Sequence, residues 1–227
     1  MAKIYIDAGH GGKDSGAQGN GIKESAVTLM LAKATRDILV KEYEGADVRL
    51  SRENDTTLSL AERTQAANKW SADVLLSIHI NSAAQIAHGF ESFVYSGVNA
   101  RTRSLQNVLH KKVLAAIGFT DRGQKQANFH MLRESAMPAV LTECGFINNA
   151  REAKYMTQPE WLMNVSRAHA EGLAEWLGLK KKTAPAAAQP DKKLWRVQVG
   201  AYEDRDNAER ILTDLQRQGY KPYIVEE

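Results

Sequence analysis

The sequence has little of what would replace a hydrophobic core or hold a chain in a membrane. It contains one cysteine, Cys144, in 227 residues. No internal disulfide can form, so the fold does not depend on an oxidising compartment. No apolar run approaches the roughly 18 residues of a membrane-spanning helix, which argues against stable insertion in a bilayer. The opening stretch MAKIYIDAGHGG lacks a basic segment followed by an apolar one. The expectation is therefore a chain made in the cytoplasm without a signal peptide. Compositional bias is also absent: apolar residues are 43% and charged residues 25%, which excludes disorder, collagen-like repeats and a disulfide scaffold. The net charge of +3 is not a surface property. Residues 1–179 come to +1 and residues 191–227 to −1, the remainder being Lys180, Lys181 and Lys182. Neither segment is basic enough to grip a phosphate backbone, so no nucleic-acid partner is expected.

What the sequence does contain is a βαβ rhythm. Lys3–Ala8 alternates and breaks into glycines, and Val27, Leu31, Ala34 and Ile38 recur at helical spacing. Ala46–Leu50, Asp73–Ile80, Gly89–Tyr95 and Pro138–Thr142 read as further strands. Ser59 and Glu62 form a capping box that opens a helix running to about Trp70. Leu105–Ile117 reads as a helix closed by Gly118. Leu162, Val165, His169, Leu173 and Trp176 mark a last helix, closed by Gly178. The pattern predicts an α/β fold with a mostly parallel twisted sheet and helices on both faces. Residues 180–193, KKKTAPAAAQPDKK, hold no apolar side chain larger than Ala or Pro and read as a linker. Beyond it, residues 194–227 predict a small β-α-β module: alternation around Trp195, Val197 and Val199, a helical stripe of Ala208, Ile211, Leu212 and Leu215, and a returning strand Tyr220–Val225. So few residues make a thin core, so the module is expected to need a partner surface or a second copy.

Chemistry-bearing residues gather where strands should end. His10 follows the first strand within DAGHGGKDSG, His79 lies in SIHIN, and Glu143 ends AVLTE. Period-2 geometry puts Ser77, His79 and Asn81 on one face of their strand. Ligands of open α/β sheets collect beyond the carboxyl ends of strands. Two histidines with one carboxylate are a common catalytic zinc set with one open position, and a further carboxylate could act as general base. Glu24, at the start of the first long helix, is the other candidate carboxylate, and spacing does not separate the roles of Glu24 and Glu143. Asp7 and Asp14 both flank His10, and either suits an orienting acceptor. A phosphate loop is rejected, because Asp7 and Asp14 stand where Gly and Ser or Thr are needed. A Cys144 nucleophile is disfavoured, since Cys144 should face away from Glu143. His88, His110, His130 and His169 lack comparable settings.

DAGHGGKDSGA, Glu24 opening a helix, SIHIN and a late TECGFINN, in this order, resemble the zinc-dependent N-acetylmuramoyl-L-alanine amidases of the type 3 amidase family. The resemblance spans nearly all of residues 1–179. It implies that His10, Glu24 and His79 hold Zn²⁺ and that Glu143 is the catalytic acid/base. It implies hydrolysis of the amide between N-acetylmuramic acid and L-alanine in peptidoglycan. The alternatives are a non-catalytic wall-binding protein and a different zinc amide hydrolase such as a sugar deacetylase. The segment from Trp195 onwards resembles the first half of a SPOR domain, which implies binding to glycan strands. With the second half absent, the expectation is that two chains complete each other through self-association, that the chain is truncated, or that the half-module acts only weakly. Without an export signal, a wall hydrolase of this kind is expected to reach its substrate after lysis, through a holin or by another non-standard route, as an endolysin or autolysin.

Overall fold

The structure is a computed structural model that describes residues 1–182, 200, 204–220 and 222–224. The chain divides into two compact units, Met1–Lys182 and Thr183–Glu227.

The first unit is built on a six-stranded sheet. Its elements are β1 (Ala2–Ala8), β2 (Gln18–Gly19), β3 (Ile22–Lys23), α1 (Glu24–Glu42), β4 (Ala46–Leu50), α2 (Leu60–Lys69), β5 (Val74–Asn81), β6 (Phe90–Val94), α3 (Ala100–Ile117), β7 (Asp121–Gln126), α4 (His130–Arg133), β8 (Ala139–Phe146), α5 (Ala150–Met156) and α6 (Pro159–Leu177). The strand order is β4-β1-β5-β8-β6-β7, and β2 and β3 form a separate hairpin. β4, β1, β5 and β8 run parallel, β6 is antiparallel to β8, and β7 is parallel to β6. The mostly parallel sheet expected from the βαβ rhythm is present.

Alternation along the strands sorts residues between two faces. One face sends Ile4, Ile6, Leu76, Ile78, Val140, Cys144 and Phe90 into a core with α1, α3 and α6. The other sends Tyr5, Leu75, Leu141 and Phe93 into a smaller core with Ala67 of α2 and Met131 and Leu132 of α4. Farther along that second face, apolar side chains give way to Asp7, Ser77, His79 and Glu143. This polar half carries the site.

Helix ends follow their capping chemistry. The capping box of Ser59 and Glu62 is formed at the start of α2, and Gly118 and Gly178 close α3 and α6 in the left-handed conformation. β8 differs from expectation. It continues through Glu143 to Phe146, because β5 and β6 pair with it from both sides. Glu143 therefore lies inside its strand and does not end it. Lys180–Lys182 hydrogen-bond back to Val40, Glu42 and Glu44 at the end of α1.

In the second unit, α7 (Arg205–Arg217) is capped by Asp204. Ala208, Ile211, Leu212 and Leu215 are its least exposed positions, matching the stripe read from the sequence. The strand expected around Trp195–Val199 lies outside the described residues. Of the expected strand Tyr220–Val225, the described residues Tyr220 and 222–224 carry no strand pairing.

Candidate metal centre

β1 delivers the chain into a turn at Gly9 and His10. A Cβ on Gly9 would stand 2.5 Å from the His79 ring, so glycine is what allows the two to approach. His10 adopts φ 61°, a left-handed conformation that costs free energy for a non-glycine residue. Two buried guanidinium groups hold it there. Arg63 donates to the carbonyls of Ala8 (2.7 Å) and His10 (2.7 Å). Arg52 donates to the carbonyls of Ala8 (3.0 Å), Gly9 (3.0 Å) and Ser25 (2.7 Å). Arg63 also pairs with Asp7 at 2.8 Å. Burial alone would raise the Asp7 pKa, but the Arg63 charge holds it below the usual carboxylate range.

Glu24 is the first residue of α1, yet its carboxylate turns away from its own helix. Its Oε1 lies 3.0 Å from His79 Nδ1 and 3.2 Å from His10 Nε2, and accepts from the Ile80 amide at 3.0 Å. Its Oε2 accepts from the Ala17 amide at 2.8 Å. Asp14 takes the other nitrogen of His10, Nδ1, at 2.8 Å, and so aims Nε2 at Glu24. The donor atoms of His10, Glu24 and His79 all lie within 4.8 Å of one another. Between the two aspartates, it is Asp14 that orients His10; Asp7 is committed to Arg63 and to the Ser77 hydroxyl.

The electrostatics of this cluster are those of a place built for positive charge. Burial would raise Glu24, but hydrogen bonds from both imidazoles hold it far below the usual range. The Glu24 hydrogen bond is the main reason His10 is raised to about 9. Burial opposes charging His79, but the Glu24 hydrogen bond together with the charges of Glu143, Glu24 and Asp7 raises it. Two imidazole nitrogens and a carboxylate match zinc in donor type and number, with one position left open.

Glu143 stands in register with His79 across β5 and β8 and with Glu91 across β8 and β6. Burial pushes its pKa up to about 8, against the attraction of His79. Its Oε2 is, among the described residues, the one buried side-chain polar atom without a hydrogen-bond partner. An orphan of this kind needs a reason. Beside His10 and His79, a cavity of about 180 Å³ is lined by Asp14, Leu58, Ser59, Leu60 and Arg63.

The remaining candidates fall elsewhere. Cys144 points to the opposite face, where burial pushes its thiol up to about 12, so it is no nucleophile. His110 is buried between Ser92 and Asp121. His169 is buried against Thr142, and burial lowers it to about 4. His130 reaches Thr64, and His88 is exposed. Sequence reasoning missed Arg52, Arg63 and Glu91. The signal for Glu91 was a charged residue two positions from Phe93 on an inward strand face.

An open α/β sheet with two histidines near its strand ends, a carboxylate from a helix start between them and an unpartnered acid alongside is the outline of a metal-dependent hydrolase. The comparisons narrow this. The chain belongs to the N-acetylmuramoyl-L-alanine amidase family, whose pattern matches residues 4–175. A SPOR domain matches residues 165–226. The sporulation-specific N-acetylmuramoyl-L-alanine amidase of Bacillus subtilis (strain 168) is 44% identical over 225 residues, covering 99% of this chain and 85% of that protein. The endolysin of Bacillus phage SPP1 is 43% identical over 195 residues, covering 84% and 71%. Among solved structures, the catalytic domain of CwlV, an N-acetylmuramoyl-L-alanine amidase from Bacillus (Paenibacillus) polymyxa var. colistinus, superposes with TM-score 0.76 at 37% identity, covering 79% of this chain and all of that one. The N-acetylmuramoyl-L-alanine amidase of Clostridium difficile 630 superposes with TM-score 0.75 at 31% identity, covering 78% and 97%.

Proposed function

We propose that the chain cleaves peptidoglycan at the amide between N-acetylmuramic acid and L-alanine, with Zn²⁺ held by His10, Glu24 and His79 and the proton moved by Glu143. The observation that carries this reading is the convergence of three metal donors beside the one unpartnered buried acid. Family membership and the activity named for its relatives supply the bond.

Zn²⁺ bound there supplies a water of lowered pKa, a polarised scissile carbonyl and a positive charge that offsets the burial of an ionised Glu143. Glu143 takes the proton of the attacking water. It then delivers that proton to the departing amine, since a neutral amine leaves far more readily than an amide anion. Asp14 fixes the tautomer of His10, and Arg52 and Arg63 hold its backbone in place. Around this centre, residues 1–179 serve as the catalytic domain. Residues 180–193 serve as the linker and 194–227 as a wall-binding module, in line with the SPOR match.

Mass spectrometry of muropeptides after digestion of purified wall tests the reading. New alanine amino termini, abolished by a chelator, are expected. Released acetate in their place would mark a sugar deacetylase, and release of neither would leave a wall-binding protein. Glu143→Gln is expected to keep stoichiometric zinc while cleavage falls by at least about a hundredfold. Retained activity would remove Glu143 from the chemistry.

A further inference from the structure

We propose that Arg122 and Lys125 form a subsite for a carboxylate on the peptide side of the scissile amide. This deepens the amidase reading and rests on it. The two cations sit on β7, the outermost strand beside β6. Residues three apart on a regular strand face opposite ways. Here they do not, because the β6–β7 pairing jumps from Phe90↔Asp121 to Ser92↔Gln124, leaving Arg122 and Gly123 opposite Glu91 alone. Such an irregularity re-aims side chains. Gly123 has φ 88° and nothing within 4 Å of where a Cβ would be, so the backbone and not packing calls for glycine.

The result is that both cations meet one carboxylate. Arg122 Nε lies 2.9 Å from Glu91 Oε2, and Lys125 Nζ contacts the same oxygen. Glu91 is buried, and its Oε1 accepts from Asn81 at 2.6 Å. The buried acid is thus pinned, and one cation would have satisfied it. Two positive charges thus converge on the single carboxylate of Glu91. The side chains of Arg122 and Lys125 are 36% and 39% exposed. Arg122 rests on the Phe146 ring at 4.8 Å and donates Nη1 to the His88 carbonyl. Among the described residues its Nη2 has no hydrogen-bond acceptor. A fixed, half-exposed guanidinium with a free donor suits a carboxylate.

Position selects which carboxylate. His79, Glu143, Glu91 and Arg122 form a row across the adjacent strands β5, β8, β6 and β7. At about 4.8 Å per strand, β7 lies roughly 10 Å from the strand of Glu143. The charged heads reach back to Glu91 on β6, one strand from Glu143, a span of about one to two residues of extended peptide. The muramic acid side offers no candidate, because its lactyl carboxyl is consumed in the amide itself. The stem peptide beyond L-alanine does carry free carboxylates.

The test uses two muropeptides that differ only in whether the first carboxylate beyond the scissile amide is free or a carboxamide. Calorimetry on the zinc-loaded Glu143→Gln chain reads binding without turnover. The free acid is expected to bind about tenfold tighter, the worth of one charge-assisted hydrogen bond. Arg122→Gln and Lys125→Met are each expected to shrink that preference by weakening the free acid more than the carboxamide. Equal affinity for the two ligands overturns the subsite, and this arm needs neither variant to fold. Equal loss on both ligands in the variants also overturns it and assigns the pair to structure. Cleavage by the unsubstituted chain is scored separately. Its absence sinks the amidase reading, while the acid-versus-amide preference is still measured.

Discussion

His10 can take part in metal binding only if its backbone is forced into a conformation it would not choose, and Arg63 is one of the two side chains that force it. Arg63 is 3% exposed and pairs with Asp7, which is 1% exposed. Removing one partner of a buried pair leaves the other charge stranded. Arg63→Ala is therefore expected to lose about 3–5 kcal/mol of stability in urea unfolding, and to weaken zinc binding as the His10 turn relaxes. His79→Ala should leave the purified protein without stoichiometric zinc by elemental analysis. His169 makes a different kind of prediction. Burial lowers its folded pKa from 6.5 to about 4. Above pH 6.5 neither state holds the proton and there is no effect. Between 6.5 and about 4 only the unfolded chain takes it up, so stability falls with pH, approaching about 3 kcal/mol near pH 4. His169→Gln should flatten that part of the stability profile. At this scale, His10 just past β1 and His79 near the end of β5 were legible from period-2 patterns, whereas Glu143, read as ending its strand, lies inside β8. The role of Glu24 was implied by the family resemblance alone and not by spacing. A glutamate in a first helical turn is favourable for the helix dipole alone, and only the fold shows its carboxylate turned towards the two imidazoles.

At the scale of elements, α3 and α6 pack as neighbours over one sheet face, and their contact depends on Gly172. A Cβ there would lie 2.9 Å from Leu109 Cδ2 and 3.3 Å from its Cα. Gly172→Ala is expected to destabilise the fold by about 1–3 kcal/mol in denaturant unfolding. Leu109→Ala should cost less in the Gly172→Ala background than alone, because it clears the nearer atom. The elements with strong signals were legible. β4 falls on the expected Ala46–Leu50, and α2 begins at its capping box. β7 was not legible, since DRGQKQ has neither apolar alternation nor β-branched residues and contains a glycine. It is an edge strand whose pairing is irregular, so sequence pattern carries little of it. β8 ran past its expected end for the opposite reason. Pairing on both sides extended it through Glu143, and a short apolar run does not reveal how many neighbours a strand has.

For the whole molecule, the division into Met1–Lys182 and Thr183–Glu227 puts His10, Glu24, His79 and Glu143 all in the first unit. A chain ending at Lys182 is expected to keep its turnover on soluble muropeptides within about twofold of the full chain. Its retention on insoluble wall in a pelleting assay should fall by about tenfold, a typical gain from linking two modules on one polymer. Loss of turnover would place part of the reacting machinery in the second unit. The Ala, Pro and Lys composition of the linker is enough to mark this boundary. By contrast, nothing in the composition of residues 1–179 marks the row of side chains that crosses four strands, because its members are drawn from separate segments of the chain.

That row lies on the face of the sheet, with His10 and His79 partly open to solvent. A tunnel would demand a loose end to thread. A floor does not: a cross-linked mesh closed in every direction can be laid on it at any point. An amidase with such a floor is expected to release stem peptide from intact, cross-linked wall as readily as from wall with exposed chain ends.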